Sequence, residues 1–145
     1  MSGMPDSNSP KILLGFDFGM KKIGIAIGQS ITESARPLTI IKAQDGIPDW
    51  KSIKNLIEEW QVEALVVGLP YQLDGNEQEI TRATRKFANR LQAQFKLPVY
   101  LIDERYSSKE ARSQLNEMGA HKDSLDSYAA KLILESWFRE KESLK

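Results

Sequence analysis

The sequence predicts one α/β domain: a mixed five-stranded sheet, three antiparallel strands followed by two parallel ones, with helices on both faces. Three observations carry this reading. Residues 12 to 28 form a hairpin pattern, two short apolar runs further on read as buried strands, and the segments between and after them repeat their apolar residues at helical spacing. The expected order is β-β-β-α-β-α-β-α-α.

The hairpin comes first. In ILLGFDFGMKKIGIAIG an apolar run ends in Asp17, the turn Gly19-Met20-Lys21-Lys22 follows, and the second run repeats Ile at 23, 25 and 27. Period-2 alternation puts these isoleucines on one face and Gly24, Ala26 and Gly28 on the other, so another element can approach that small face closely. In the first strand Ile12, Leu14, Phe16 and Phe18 share a face, and Leu13, Gly15 and Asp17 share the opposite one. Asp17 is thus a carboxylate in an apolar strand. It needs compensation by a cation, or by donors such as the backbone N–H groups of the Gly19 turn.

Arg36 to Ala43 reads as a third strand with Pro37 at its start, completing a meander, and Asp45 to Pro48 as a turn. From the N-cap Asp49 a helix is expected, with Trp50, Ile53, Leu56, Ile57 and Trp60 on its core face. Ala64 to Gly68, apolar throughout, has the pattern of a central strand buried on both faces. A loop with an Asp-Gly turn follows, at the carboxyl end of that strand, where α/β folds place ligands. The helix from Glu77 to Phe95 puts Ile80, Thr84, Phe87, Ala88, Leu91 and Phe95 inward and Arg82, Arg85, Lys86 and Arg90 outward. That outer face is either a solvated surface or a phosphate-binding one. Leu97 to Ile102 is expected as another buried strand, ending at Asp103-Glu104-Arg105. Ser107 and Glu110 have capping-box spacing for a helix that stops at Gly119. A last helix from about Ser124 directs Leu125, Tyr128, Ala129, Leu132, Ile133 and Trp137 toward the core.

Composition removes several kinds of chemistry. The 145 residues contain no cysteine and one histidine, His121, and no Gly-x-Ser-x-Gly elbow supports a serine nucleophile. Twenty basic and twenty acidic residues cancel, so any nucleic-acid contact rests on a local patch. Residues 1–10 read as a polar tail, 11–140 as the domain and 141–145 as a C-terminal tail. No apolar run reaches membrane-spanning length.

Asp17, the pair Asp103-Glu104, and Asp126 stand where such a fold brings strand ends and a helix start together. Clustered carboxylates repel unless a divalent cation neutralises them, and oxygen-only donors select Mg²⁺ or Mn²⁺. Two such ions about 4 Å apart activate water and stabilise the leaving oxygen of a phosphodiester. Taken singly, Asp103-Glu104 also fits a surface pair with Arg105, and Asp126 a first-turn acid favoured by the helix dipole. Asp123 fits either the cap of the last helix or a further ligand.

Four stretches, GFDFGMKKIGIAIG at 15 to 28, VVGLPYQLDGNEQ at 66 to 78, IDERYS at 102 to 107 and LDSYAAKLILESW at 125 to 137, resemble the YqgF/RuvX family. These are Holliday junction resolvase-like proteins with a ribonuclease H-like fold, also described as pre-16S rRNA nucleases. The resemblance implies that Asp17, Glu104 and Asp126 are the catalytic acids and ligands of Mg²⁺ or Mn²⁺. It implies a cytoplasmic nuclease for the 5′ end of pre-16S rRNA or for branched nucleic acid, with structured RNA, junction DNA or ribosomal precursor particles as partners. Lys21, Lys22, Arg82, Arg85, Lys86, Arg90 and Arg105 are the expected nucleic-acid contacts. The loop before the last helix, AHKDS, departs from the longer basic loop usual in the family, and Tyr71 and Tyr106 replace aliphatic residues. Two rival readings are a non-catalytic ribosome-assembly factor and an actin-like ATPase, whose phosphate hairpin DFGMKKIG resembles. The ATPase would need a second domain to close over its nucleotide.

Overall fold

The computed structural model describes residues 11–70, 79–103 and 122–143, with 122–126 and 141–143 described by backbone alone. The strands are β1 (Ile12–Asp17), β2 (Lys22–Gln29), β3 (Ser34–Gln44), β4 (Ile47–Pro48), β5 (Ala64–Leu69) and β6 (Val99–Asp103). The helices are α1 (Trp50–Trp60), α2 (Glu79–Phe95) and α3 (Lys122–Ser143). The expected helix over 107–119 lies outside the described residues.

The sheet runs in the order β4-β3-β2-β1-β5-β6. β1, β2 and β3 form the expected antiparallel meander, while β5 lies parallel to β1 and β6 parallel to β5. The sixth strand, β4, is a correction to the five expected. Asp45 and Gly46 both take positive φ, 52° and 80°. That pair of left-handed residues matches the twist of flanking strands and makes a two-residue hairpin in place of the expected plain turn.

Both sheet faces are covered. Leu14, Phe16, Ile23, Ile25, Ile27, Leu65 and Val67 pack with Ile53 of α1 and Phe87 and Leu91 of α2. On the other face Leu13, Ala26, Ala64 and Val66 pack with Ala130, Ile133, Leu134 and Phe138 of α3. Alternation in β1 and β2 therefore assigns the faces as expected, and α3 is the element that approaches the small one. A Cβ on Gly28 would stand 3.2 Å from Leu134 Cδ1 and 3.3 Å from Phe138 Cε2, and one on Gly15 would meet Leu134 and the Ala130 carbonyl. The inward face of α3 holds Ala129 and Ile133, as predicted, but is centred on Ala130, Leu134 and Phe138. Tyr128, Leu132 and Trp137 are only half-buried.

α1 is capped as expected. Asp49 Oδ1 accepts from the Lys51 N–H at 3.1 Å and Oδ2 from the Ser52 hydroxyl at 3.1 Å. Such a cap contributes about 1 kcal/mol. β5 is buried along its whole length. β6 corrects the expectation of a second buried strand: it is the sheet's edge, with Tyr100 39% and Leu101 41% exposed. α3 runs from Lys122 to Ser143.

Candidate active site at the carboxyl end of the sheet

Parallel strands end on the same side, so β1, β5 and β6 deliver Asp17, Leu69 and Asp103 to one rim of the sheet. Asp17 is the last residue of β1. It is buried, only 7% exposed, in register with Gly24 of β2. It shares the face of Leu13 and Gly15, against which α3 packs. It has an interaction partner in the fold.

The direction of α3 follows from its contacts. Phe138 and Leu134 meet Gly28, and Leu134 and Ala130 meet Gly15, two residues along β1 from Leu13, the partner of Gly28. Each step of two residues up β1 is therefore matched by one turn back along α3. β1 rises roughly 6.6 Å in that step and the helix about 5.4 Å per turn, so the two ladders stay nearly in phase. α3 therefore runs antiparallel to β1, with its N-terminal end toward the Asp17 end of the sheet.

Asp103 behaves differently. It alternates with Val99, which packs toward α1 and α2, whereas Ile102 packs toward α3. Asp103 therefore occupies the face opposite Asp17. Glu104 and Arg105 lie outside the described residues. α3 begins at Lys122, so Asp123 sits within its first turn, and the expected cap position ahead of the helix is not where the backbone puts it. Among the described residues no group of three metal-ligating side chains is gathered.

The basic residues separate by exposure. Arg82, Lys86 and Arg90 are exposed on α2 and fall four residues apart, one stripe along the helix. Arg85 is half-buried and already engaged. Lys21 is exposed in the β1–β2 turn, and Lys22 is half-buried at the start of β2 opposite Lys42. The start of α2 is tied to the end of β5 by the buried Thr81 hydroxyl, which donates to the Pro70 carbonyl. The stripe therefore begins beside the rim that holds Asp17 and runs about 12 Å away from it. Thr81 escaped the sequence reading. A polar residue among Ile80, Thr84 and Phe87 was the available signal.

A mixed sheet with an acid at the end of its first strand and a helix crossing toward that acid defines the ribonuclease H-type class of fold. The fold is shared with Thermus thermophilus RuvC in complex with a Holliday junction substrate, at 15% identity over 91% of this chain and 96% of that one with a TM-score of 0.54. It is shared also with the fowlpox virus resolvase in its complex with Holliday junction DNA, at 11% identity over 90% and 98% of the chains with a TM-score of 0.58. The family model described as RuvX, Holliday junction resolvase, matches residues 11–140, and the chain belongs to that family. A Coxiella burnetii relative named as a candidate pre-16S rRNA nuclease is 55% identical over 97% of this chain and 99% of its own. A Haemophilus ducreyi relative of the same name is 53% identical over 87% and 94%.

Proposed function

We infer that the chain is a nuclease of ribosomal RNA processing, hydrolysing a phosphodiester bond near the 5′ end of pre-16S rRNA with the help of Mg²⁺ or Mn²⁺. The observation that carries the site assignment is Asp17, a buried carboxylate at the end of β1 on the face that α3 crosses with its N-terminal turns. Membership of the family and the names of relatives at 53 to 55% identity support the nuclease class.

A hard divalent cation fits the donors. Asp17 offers oxygen only, and its neighbour Gly24 fills no space beside it. Glu104 and Asp126 are the proposed further ligands. When bound, the metal supplies activation of a water and stabilisation of the leaving oxygen. The chain's own residues do the rest. Asp17 anchors the donor set on a strand that cannot shift without disturbing both cores. Arg82, Lys86 and Arg90 neutralise successive phosphates and set the direction in which the substrate leaves the rim. Lys21 in the β1–β2 turn, with Lys22 at its end, meets phosphate nearer the cut, and Arg105 does the same from the β6 end. Pre-ribosomal particles are the proposed partner and the cytoplasm the proposed location. No helix among the described residues is long and apolar enough to cross a membrane.

The test is cleavage of a 5′-extended 16S precursor by the full chain with Mg²⁺ or Mn²⁺, mapped by primer extension. Metal-dependent cuts that disappear in Asp17→Asn support the reading. Tight RNA binding without any cleavage would replace it with that of a non-catalytic assembly factor.

A further inference from the structure

Between the β1–β2 turn and the first turns of α2 lies an open recess of about 640 Å³ lined by Met20, Glu79, Ile80 and Ala83. Among the described residues its lining is apolar apart from the Glu79 carboxylate. Met20 is 43% exposed and stands three residues beyond Asp17, so the recess lies within roughly 10 Å of chain from that acid. It is fixed on both sides. The Met20 carbonyl accepts from the Gly46 N–H at 2.9 Å, and Thr81, between Ile80 and Arg82, is bonded to Pro70.

Glu79 is the charged residue of this lining. It heads the helix that carries the exposed stripe Arg82, Lys86 and Arg90, at the end of the sheet where a phosphate must sit. A carboxylate there repels a nucleic-acid backbone. It is exposed and lines the recess, so its carboxylate can accept a hydrogen bond from a donor on a bound group. An unstacked nucleobase supplies both halves of what the recess offers to bind: a flat apolar ring for Met20, Ile80 and Ala83, and an exocyclic amino group for the carboxylate.

We propose that this recess holds an unpaired base next to the scissile phosphate, and that Glu79 favours bases carrying an exocyclic amino group over uracil. The proposal rests on the nuclease reading and narrows its substrate class. The preferred strand carries an extruded cytosine, adenine or guanine beside the cut, and a fully paired site is a poor substrate.

Two measurements on the full chain test it. The first compares single-turnover cleavage of RNA substrates that differ only in one flanking unpaired base, cytosine or uracil. Wild type is expected to prefer cytosine roughly ten-fold, as one good base contact allows, and Glu79→Met to bring the ratio close to one. Replacing Glu79 as a mere helix-dipole acid would lower the melting temperature without moving that ratio. The second titrates protein into RNA carrying 2-aminopurine at the flanking position, without metal. A fluorescence change that is saturable in wild type and reduced several-fold in Met20→Ala is expected. Equal cleavage of both substrates by wild type, or an unchanged ratio in Glu79→Met, overturns the base preference. A 2-aminopurine signal indifferent to Met20→Ala overturns the recess. Should wild type cleave none of these RNAs, the nuclease reading fails, and the titration decides the recess independently.

Discussion

Gly15 of β1 and Leu134 of α3 are packed so closely that a Cβ on Gly15 would stand 2.5 Å from the Leu134 Cγ. The helix lies on the strand because the strand has no side chain there. The position of α3 relative to Asp17, two residues further along, depends on this pair.

Gly15→Ala is therefore expected to destabilise the fold by about 1 to 3 kcal/mol, the usual cost of overpacking, in a urea titration. Leu134 can yield by changing its rotamer, but the Ala130 carbonyl, 3.0 Å from the same point, cannot. In a Leu134→Ala background the added methyl should cost less, with a coupling of at least about 0.5 kcal/mol. Strict additivity would show that the two residues do not set the helix position.

Asp17→Asn exchanges a carboxylate for an amide of nearly the same shape. Cleavage is expected to fall by a factor on the order of 10³, as for the loss of a principal electrostatic group in an active site. The wild-type melting temperature should rise with Mg²⁺ or Mn²⁺, since a ligand at a hundred times its Kd adds about 2.7 kcal/mol. That amounts to roughly 5 to 10 °C for a chain of this size. The variant should lose most of the rise. Calorimetry with and without metal decides it, and an equal rise in both proteins would remove Asp17 from the metal site.

Changing Arg82, Lys86 and Arg90 together to Gln should weaken RNA binding and flatten its salt dependence by about 0.7 to 0.9 in log–log slope for each phosphate left without its cation. Fluorescence anisotropy across a range of salt concentrations gives both quantities. Unchanged affinity and slope would make the stripe a solvated face.

The buried indole Nε1–H of Trp60 finds no hydrogen-bond partner among the described residues, while the Arg36 guanidinium lies 5.4 Å from its ring centroid. Trp60→Phe deletes the orphaned donor and keeps an aromatic ring under the arginine. The expected change in unfolding free energy is within about 1 kcal/mol of zero, far less than a core tryptophan normally costs when truncated, because relief of the buried donor offsets the smaller apolar area. A loss above about 3 kcal/mol would mean that the donor is satisfied in solution.

Much of this architecture is written locally. Ile23, Ile25 and Ile27 alternate with Gly24, Ala26 and Gly28, so the chain states which face of β2 another element can approach, and Asp49 announces α1 by its own cap. Asp17 is conspicuous because a carboxylate interrupts an apolar strand. What failed to show depends on neighbours distant in sequence. Leu101 is as apolar as Val67, and only the strand order reveals that β6 has an open edge. The apolar residues of α3 are spread around the helix and not gathered in one stripe, so periodicity could not choose Leu134 and Phe138 over Leu132 and Trp137; the two glycines it packs against made the choice. The pairing of Met20 with Glu79 joins a turn to a helix start far along the chain, and neither residue type is informative alone.

Gly46 holds the turn of one hairpin against that of another. Its N–H donates to the Met20 carbonyl at 2.9 Å, and a Cβ there would press to 2.9 Å from Phe18 Cζ. Because that N–H can meet solvent only when the two turns part, its hydrogen–deuterium exchange rate counts how often the Met20 wall lifts away. A single amide thus serves as a built-in clock for the opening of the rim, readable in the free protein before any substrate has been found.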